Sequence, residues 1–517
     1  MAWLHTWTGL LVGWFLFVIF LSGTTAYFQS EITRWMTPEL SGQVTSQVAA
    51  QNAVNWLSAH KKDAVAWDIS LPDKRGGPVT VYWTSRPEPG KEAKRNYRED
   101  RATLDPASGE VVTARDTKGG FFLYRFHFDL HYMPVMWARW IVGFCAMMLL
   151  TACLTGIVTH KKIFADFFML RFGKGQRSWL DAHNVSAVMG LPFILMITYT
   201  GLVTLASLYM PWPIKASGLN RESYYAELYP QAPVHEPVGR PPPLTNLATV
   251  FEATRNRWNS DNISYLSINN PGDEAATITA TSAAQDRIDT RGARIQLDGV
   301  TGQVLWNTAS RGAEARTEGV MIGLHAGRYA GPMLRWLYFI SGVGGTMMVA
   351  TGLILWTSKR RLKLPDPERP HFGFRLVEKL NIGFITGFPA GIATYFLANR
   401  LLPLDLAKRA DWEVHSLFIA WGAVLVWAVA RPSKRGWIEG LSLCAGLYAL
   451  VPIVNAATTS RGLIDSMMAG DWLFVSFDSV MWLTAALFAL AARKTALHKP
   501  MVKARKKPLP VTSPETI

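Results

Sequence analysis

The chain has 517 residues, of which 49% are hydrophobic and 21 are Trp. The apolar residues lie in long runs without charge, which excludes an ordinary set of soluble domains and indicates a membrane protein. The net charge of +15 does not indicate a nucleic-acid partner, because Lys and Arg gather in alternate connections between the runs instead of forming one patch.

Eight runs are long enough to cross a bilayer as helices, since about 20 residues span the hydrocarbon core. They lie near 8–28, 140–159, 185–210, 336–358, 380–399, 412–430, 437–458 and 472–492. The first run is longer than the apolar part of a signal peptide and is not closed by an A-x-A site, so we expect an uncleaved anchor. The predicted fold class is a polytopic α-helical membrane protein with about eight spans.

Basic residues mark one side of the predicted membrane protein. They lie in the loop 160–183, after the fourth run, after the sixth run and in the segment KARKK at 503–507, whereas the short loop 399–413 has three basic and three acidic residues. Lys and Arg are enriched in cytoplasmic loops. We therefore expect a bacterial inner-membrane protein with both termini cytoplasmic and its two long connections periplasmic.

The first four runs and the two long connections form an internal duplication. His5 lies 18 residues before Gly23, and His183 lies 18 residues before Gly201. In the returning runs, an Arg-Trp pair leads to a Thr-Gly pair at equal spacing, at Arg139 and Gly156 and again at Arg335 and Gly352. Both units begin on the same side, so the repeats are expected to be parallel and related by an axis along the membrane normal.

Each long connection has the pattern of a small α+β domain. A helix from Val44 to about His60 precedes strands near 67–71 and 79–85, and a helix at 247–258 precedes strands near 263–268, 276–282 and 293–306. The strings DPASGEVV and DGVTGQVL match between the two connections. Neither carries a phosphate-binding loop, a catalytic triad or paired carboxylates, so a binding or scaffolding role is expected and no catalytic residue is assigned.

These boundaries give the predicted domain organisation. In chain order it is a first span at 1–28, a periplasmic domain at 29–136, a second span at 137–160, a cytoplasmic loop at 161–183, a third span at 184–210, a second periplasmic domain at 211–332, a fourth span at 333–358, a cytoplasmic loop at 359–379, four additional spans within 380–493 and a basic cytoplasmic tail at 494–517. The first four spans are the duplicated four-helix core into which the two domains are inserted.

Histidines occupy repeat-related positions at the ends of the core spans. His5 and His183 lie at the cytoplasmic ends of the first and third runs. On the periplasmic side His325 precedes the fourth run, and both His127 and His131 precede the second. A shared Leu-His dipeptide slightly favours His131 as the counterpart of His325, and His127 stays open as the alternative. Four residues apart on a helix, these two would share a face, so that one could bind a metal and the other a haem propionate.

Two facing imidazoles are a suitable axial ligand pair for haem iron and give a low-spin centre for electron transfer. We therefore predict two haem b groups, one at each membrane face, since no C-x-x-C-H motif for covalent attachment is present. His160 is a weaker candidate for the inner haem, because its repeat equivalent is Trp356. Glu439 and Asp478 lie inside predicted spans, where ionisable groups are costly and often functional.

Several strings resemble the PepSY-associated transmembrane protein family. They are LHTWTGLLVGWFLFVIFLSGT, RFHFDLHY, SWLDAHNVSAVMG and GLHAGRYAGPMLRW, and the likeness extends over about 1–362. The family includes inner-membrane ferric-siderophore reductases that hold two b-type haems between four core helices. The resemblance implies that this chain reduces Fe(III) to Fe(II) in a periplasmic ferric siderophore, that its external loops are PepSY domains, and that spans five to eight are less typical.

The electron donor is expected to be a separate molecule, because no G-x-G-x-x-G follows a predicted strand. A quinol in the membrane or a cytoplasmic flavoprotein would serve. Two other functions stay open. One is a non-redox PepSY module that regulates or binds an envelope peptidase or ligand. The other is a siderophore transporter, in which spans five to eight with Glu439 and Asp478 would matter.

Overall fold

The computed structural model describes residues 1–40, 44–72, 75–86, 100–159, 171, 173, 175–240, 244–289, 291–308, 312–366 and 369–498. In these ranges the helices are α1 (Ala2–Ala26), α2 (Gln29–Met36), α3 (Ser46–His60), α4 (Gly119–Asp129), α5 (Val135–Thr159), α6 (Gln176–Thr204), α7 (Ala206–Tyr209), α8 (Trp212–Ala216), α9 (Arg221–Leu228), α10 (Leu247–Trp258), α11 (Ala313–Ala326), α12 (Pro332–Arg361), α13 (Phe372–Ile385), α14 (Gly387–Leu401), α15 (Arg409–Ala430), α16 (Ser433–Thr458), α17 (Leu463–Met468) and α18 (Trp472–Leu497). The strands are β1 (Ala66–Ser70), β2 (Val79–Thr84), β3 (Arg101–Leu104), β4 (Ile263–Asn269), β5 (Thr277–Ser282), β6 (Arg294–Asp298) and β7 (Val304–Asn307).

Eight helical segments in the described residues are long and apolar enough to span a membrane. They are α1, α5, α6, α12, α13 with α14, α15, α16 and α18. The predicted number of spans is confirmed, and the chain is a multi-pass helical membrane protein. The fifth span is broken at Thr386, where Pro389 falls in the first turn of α14 and lacks the N–H that would continue the helix.

The first four spans form a closed four-helix core. Helix α1 packs against α5 and α12, and α6 packs against the same two helices, so α1 and α6 lie on opposite sides of the core. In each half a spanning helix is followed by a helix and antiparallel strands, then by a short helix and a returning span. The same order of elements therefore occurs twice, as the spacing of the repeated residues predicts.

The two long connections build one seven-stranded antiparallel sheet in the order β3-β2-β1-β4-β5-β6-β7. The equivalent strands β1 and β4 pair in register, with Ile69 opposite Leu266. One apolar core combines residues of α3, α10 and both halves of the sheet. The sequence predicts two separate small domains, and their strands are joined here because each half leaves its first strand unpaired on one edge.

The two ends of the bundle are distinguished by the sheet. The end of the bundle next to the sheet, called the sheet end, holds the last turns of α1 and α6. The opposite end, called the terminal end, holds their first turns. Spans five to eight pack along α1 and α12, where Asn381 accepts a hydrogen bond from Trp14 Nε1 at 3.0 Å and donates to the Leu353 carbonyl at 3.0 Å. The predicted basic residues at 161–162 and 503–507 lie outside the described residues.

Candidate functional site

Two histidine rings face each other at the terminal end of the core. His5 lies in the first turn of α1, and His183 lies in the second turn of α6. Their ring centroids are 6.3 Å apart and the ring planes meet at 69°. Because α1 and α6 lie on opposite sides of the core, the two rings meet between the helices that carry them.

A second pair lies at the sheet end, on the short helices that precede α5 and α12. His127 on α4 and His325 on α11 have ring centroids 6.3 Å apart, with an angle of 25° between the planes. His131 instead packs against Phe418 of α15 and Phe122, with centroids 5.7 and 5.6 Å away. Of the two alternatives left by the sequence, the structure places His127 beside His325 and His131 apart from it, contrary to the slight preference for His131 as the counterpart of His325. Which of the two binds a metal stays a prediction.

The backbone explains why His127 and His131 separate. Helix α4 ends at Asp129, and Leu130 and Tyr132 adopt positive φ angles of 38° and 62°. The chain therefore turns between the two histidines, and they do not share a helix face. His127 and His325 both lie in the last turn of their short helices. The shared Leu-His dipeptide does not indicate this, because it matches His131 with His325.

Each of the four paired rings is oriented by a backbone carbonyl. The Nδ1 atoms of His5, His183 and His325 lie 2.9 Å from the carbonyl oxygens of Ala152, Met348 and Ile197, and that of His127 contacts the carbonyl of Tyr124. A carbonyl oxygen only accepts, so Nδ1 carries the proton and the lone pair of the neutral ring is on Nε2. This is the arrangement in which histidines bind metals.

Four glycines make room for these rings. A Cβ added at Gly156 or Gly352 would lie 3.3 Å from His5 Cε1 or 3.1 Å from His183 Cε1. At the sheet end, a Cβ at Gly201 would lie 2.8 Å from His325 Cε1, and one at Gly23 would lie 3.7 Å from the His127 ring. The glycines that reveal the duplication in the sequence are thus the residues that the histidines contact, a connection that their spacing alone did not show.

The separation of the rings fits one metal atom between each pair. A metal bonded to both Nε2 atoms at about 2 Å would place the ring centroids roughly 6 Å apart, and both pairs have 6.3 Å. In the described residues no group of three or more His, Cys, Asp or Glu could hold a metal ion. Two imidazoles without further protein ligands suit a metal that brings its own equatorial ligands, as haem iron does.

Charge state and cationic neighbours are also compatible with a haem. Burial lowers the pKa of His127 to about 3 and that of His325 to about 4, so both rings are neutral and able to bind a metal at physiological pH. Near His127, the Arg328 guanidinium lies over the Tyr124 ring. At the terminal end Arg360 lies 3.9 Å from the centroid of Trp356, and both arginines could pair with propionates.

The remaining candidates from the sequence lie elsewhere. His160 is outside the described residues. Glu439 forms an ion pair with Arg431 at 3.1 Å near the bundle surface. Asp478 is buried and accepts hydrogen bonds from Trp35 Nε1 and Asn455 Nδ2, both at 3.0 Å. No sequence pattern indicates the partners of Asp478, since they are 443 and 23 residues away along the chain.

Comparison with known proteins agrees with the core architecture. A family model described as the PepSY-associated TM region matches residues 2–359. The chain belongs to this family. The PepSY-associated core therefore includes the four spans, the sheet and all four paired histidines, and the match ends before α13. An uncharacterised protein of Pseudomonas aeruginosa is 27% identical over 338 residues, which cover 61% of this chain and 82% of that protein.

The two pairs of this PepSY-associated protein stand at opposite ends of the core. Along α1, His5 and Gly23 are 18 residues apart, which at about 1.5 Å per residue corresponds to about 27 Å. Since the same interval separates His183 from Gly201 on α6, the arrangement provides one candidate metal site near each end of the four-helix core.

Proposed function

We propose that this PepSY-associated protein transfers electrons across the bacterial inner membrane through two haem b groups and reduces a ferric siderophore on the periplasmic side. The observation that carries the proposal is that two pairs of histidines lie at opposite ends of a duplicated core. In each pair the ring centroids are 6.3 Å apart. Siderophore oxygens are hard ligands that hold Fe(III) more strongly than Fe(II), so reduction would release the iron.

The four histidines would hold the cofactors. His5 with His183 would bind one haem at the terminal end, and His127 with His325 would bind the other at the sheet end. Bound haem iron supplies reversible one-electron chemistry. The chain's own contribution is to orient the rings through Nδ1–H bonds to carbonyls, which also increase the basicity of Nε2, and to hold them half-buried between helices of the core.

The distribution of basic residues supports the orientation. The last turn of α12 contains Lys359, Arg360 and Arg361, and Lys434 and Arg435 lie at the start of α16. Both groups are at the terminal end, which the positive-inside rule assigns to the cytoplasm. The joined sheet, with its two PepSY-like halves, is then periplasmic and available to a ferric siderophore. The electron donor would be a membrane quinol or a cytoplasmic flavoprotein.

The proposal is tested with the purified full-length protein. We expect a Soret band, split α and β bands after dithionite reduction, and two haems per chain in a pyridine haemochrome assay. Mixing the reduced protein with a ferric hydroxamate siderophore should reoxidise the haems and yield Fe(II), measured with a ferrous chelator. A colourless protein, or haems that ferric siderophores do not oxidise, would contradict the proposal.

Single substitutions assign the ligands. His183→Ala and His325→Ala should each lower the haem content from two to about one, because each removes one axial ligand of one centre. His131→Ala is the matched control: it removes a neighbouring histidine that faces Phe418, and both haems should remain. Loss of a haem from the His131 variant would show that the pairing seen here is not the one that binds iron.

A further inference from the structure

Spans five and six cover one side of α4, the helix that carries His127. The Phe122 ring lies 5.4 Å from that of Tyr395, and the Phe126 ring lies 5.7 and 5.5 Å from those of Phe388 and Phe418. Phe122 and Phe126 are four residues apart and so form one stripe along the helix. The apolar face of α4 is therefore packed on α14 and α15, which lie beyond the family match.

The first turn of α4 is held by polar groups from the same two spans. The Tyr395 hydroxyl donates to the Gly119 carbonyl at 2.8 Å, and the Thr117 hydroxyl donates to Glu413 Oε2 at 2.6 Å. Tyr395 and Glu413 are both fully buried. At the surface, Lys118 pairs with Asp411 at 3.0 Å.

Glu413 is itself fixed by a buried network. Its Oε1 accepts from Arg409 Nη1 at 2.6 Å and from Asn399 Nδ2 at 2.7 Å, and Arg409 also donates to the Asp116 carbonyl at 3.0 Å. A buried ion pair has a large desolvation cost and is weak evidence for stability alone. Within a membrane span such groups commonly serve a function, and here they converge on the segment that leads into α4.

The other end of α4 is held as well. Tyr132 Oη is hydrogen-bonded to His415 Nδ1 on α15, and His131 stacks on Phe418. The positive φ angles of Leu130 and Tyr132 are costly for residues other than glycine and persist only where the surrounding structure imposes them. In this segment Tyr132 and its neighbour His131 are held by α15.

His127 depends on the position of α4 in a way that the other three histidines do not. The Nδ1 atoms of His5, His183 and His325 are bonded to carbonyls of core spanning helices, whereas that of His127 is bonded to Tyr124 of its own helix. The ring of His127 therefore moves with α4. The repeat-equivalent helix α11 packs on α6 of the core, as α4 packs on α1, so the contacts of α4 with α14 and α15 are an addition to the repeated arrangement.

We propose that spans five and six are a brace for α4 and that Glu413 and Tyr395 are positioning residues, acting through His127 on the sheet-end iron centre. This inference rests on the proposed function, and it gives spans five and six a role. It also makes the two centres unequal, because among the described residues His127 lies on a helix that packs on α14 and α15, whereas the rings of His5, His183 and His325 are bonded to carbonyls of the core spans.

The test compares Tyr395→Phe and Glu413→Gln with Asp478→Asn in the full-length protein. Asp478→Asn is a matched carboxylate-to-amide change in the same bundle, where the side chain contacts Trp35 of α2 and not α4. Electron paramagnetic resonance separates the centres, because ring planes at 69° and 25° give different low-spin signals. His183→Ala and His325→Ala, which each retain one haem, assign the signals and the midpoint potentials.

We expect Tyr395→Phe and Glu413→Gln to keep two haems and to shift the signal and potential of the sheet-end centre alone, while Asp478→Asn shifts neither. Amide hydrogen exchange should accelerate in 119–129 and not in 313–326. Wild-type protein without haem would overturn the proposed function and this inference with it. Two outcomes would overturn the brace only. One is that Tyr395→Phe and Glu413→Gln both keep two haems with unchanged signals and unchanged amide hydrogen exchange. The other is that the signals and potentials of both centres shift equally. If Glu413→Gln does not fold because Arg409 loses its partner, Tyr395→Phe decides.

Discussion

Each of the four paired histidine rings lies beside a glycine, which leaves space for the ring where a side chain would intrude. The four glycines differ in how closely they approach. Gly201 leaves the least room, since a Cβ there would lie 2.8 Å from His325 Cε1, whereas one at Gly23 would lie 3.7 Å from His127. The duplicated positions are thus equivalent in the sequence and unequal in their tolerance of a side chain.

This difference gives a matched pair of substitutions. Gly201→Ala should push the His325 ring away from His127 and reduce the haem content from two to about one, because the added Cβ would lie far inside van der Waals contact. Gly23→Ala, its repeat counterpart, should retain both haems, since its Cβ would make an ordinary contact. Haem-to-protein ratios measure both outcomes, and equal haem content in the two variants would contradict this placement of His325.

The sequence predicts three of the four paired histidines. His5 and His183 follow from matching offsets to Gly23 and Gly201, and His325 follows from its place before the fourth run. His127 does not, because the choice against His131 depends on where α4 ends, and the positive φ of Leu130 has no signature in the sequence. The two residues after Leu130, His131 and Tyr132, contact Phe418 and His415 of α15, and no local pattern reports these tertiary contacts.

At the scale of elements, the central feature is the pairing of β1 with β4. The individual strands lie close to their predicted positions, and α10 has the predicted bounds. Their arrangement in one sheet could not be predicted, because the alternation of apolar residues identifies a buried face but not the neighbour on an open edge. The neighbour of β1 is β4 of the other repeat, which the four-helix core places next to it.

A disulfide tests this pairing. Ser70 lies opposite Tyr265, which in turn lies opposite Thr281 on β5. Cysteines at 70 and 265 should cross-link, because directly opposed residues have Cα atoms about 4.5–5.5 Å apart, within reach of a disulfide.

Cysteines at 70 and 281 are the control, since two strand spacings amount to roughly 9.5 Å. Mobility on a non-reducing gel after protease cleavage between the two halves distinguishes linked from unlinked chains. The three native cysteines lie in spanning helices, apart from the sheet. Cross-linking of the cysteines at 70 and 281, or no cross-linking of those at 70 and 265, would show that β1 and β4 do not pair in this register.

At the scale of the whole molecule, the protein is a duplicated core with a second bundle attached on one side. The number and order of spans are readable from the sequence, but the docking is not. The charged residues of the predicted loop 399–413 illustrate why: Arg400, Arg409 and Glu413 are buried, and each has at least one partner on another segment. A count of balanced charges cannot show that a loop forms an interface.

Arg400 is the centre of that interface. Its guanidinium lies 3.8 Å from the Trp35 ring centroid, and it donates to Asn455 Oδ1 at 2.9 Å and to the Trp35 carbonyl. Arg400→Ala should lower the stability of the protein in detergent by about 3 kcal/mol, because buried polar partners lose a charged donor. Thermal unfolding measures the change. Arg493→Ala, at an exposed position of α18, should leave the midpoint unchanged, and an equal effect of both substitutions would contradict the buried junction.

The shared sheet also determines when its strands can pair during synthesis of the chain. Strand β1 begins at residue 66 and its partner β4 at residue 263. At a synthesis rate of about 5–20 residues per second, β4 is made roughly 10–40 s after β1. Throughout that interval the first half presents an open strand edge that any other extended chain can pair with. A nascent copy from the next ribosome carries a complementary β4, so exchange of strands between neighbouring chains is the misassembly that this architecture has to avoid.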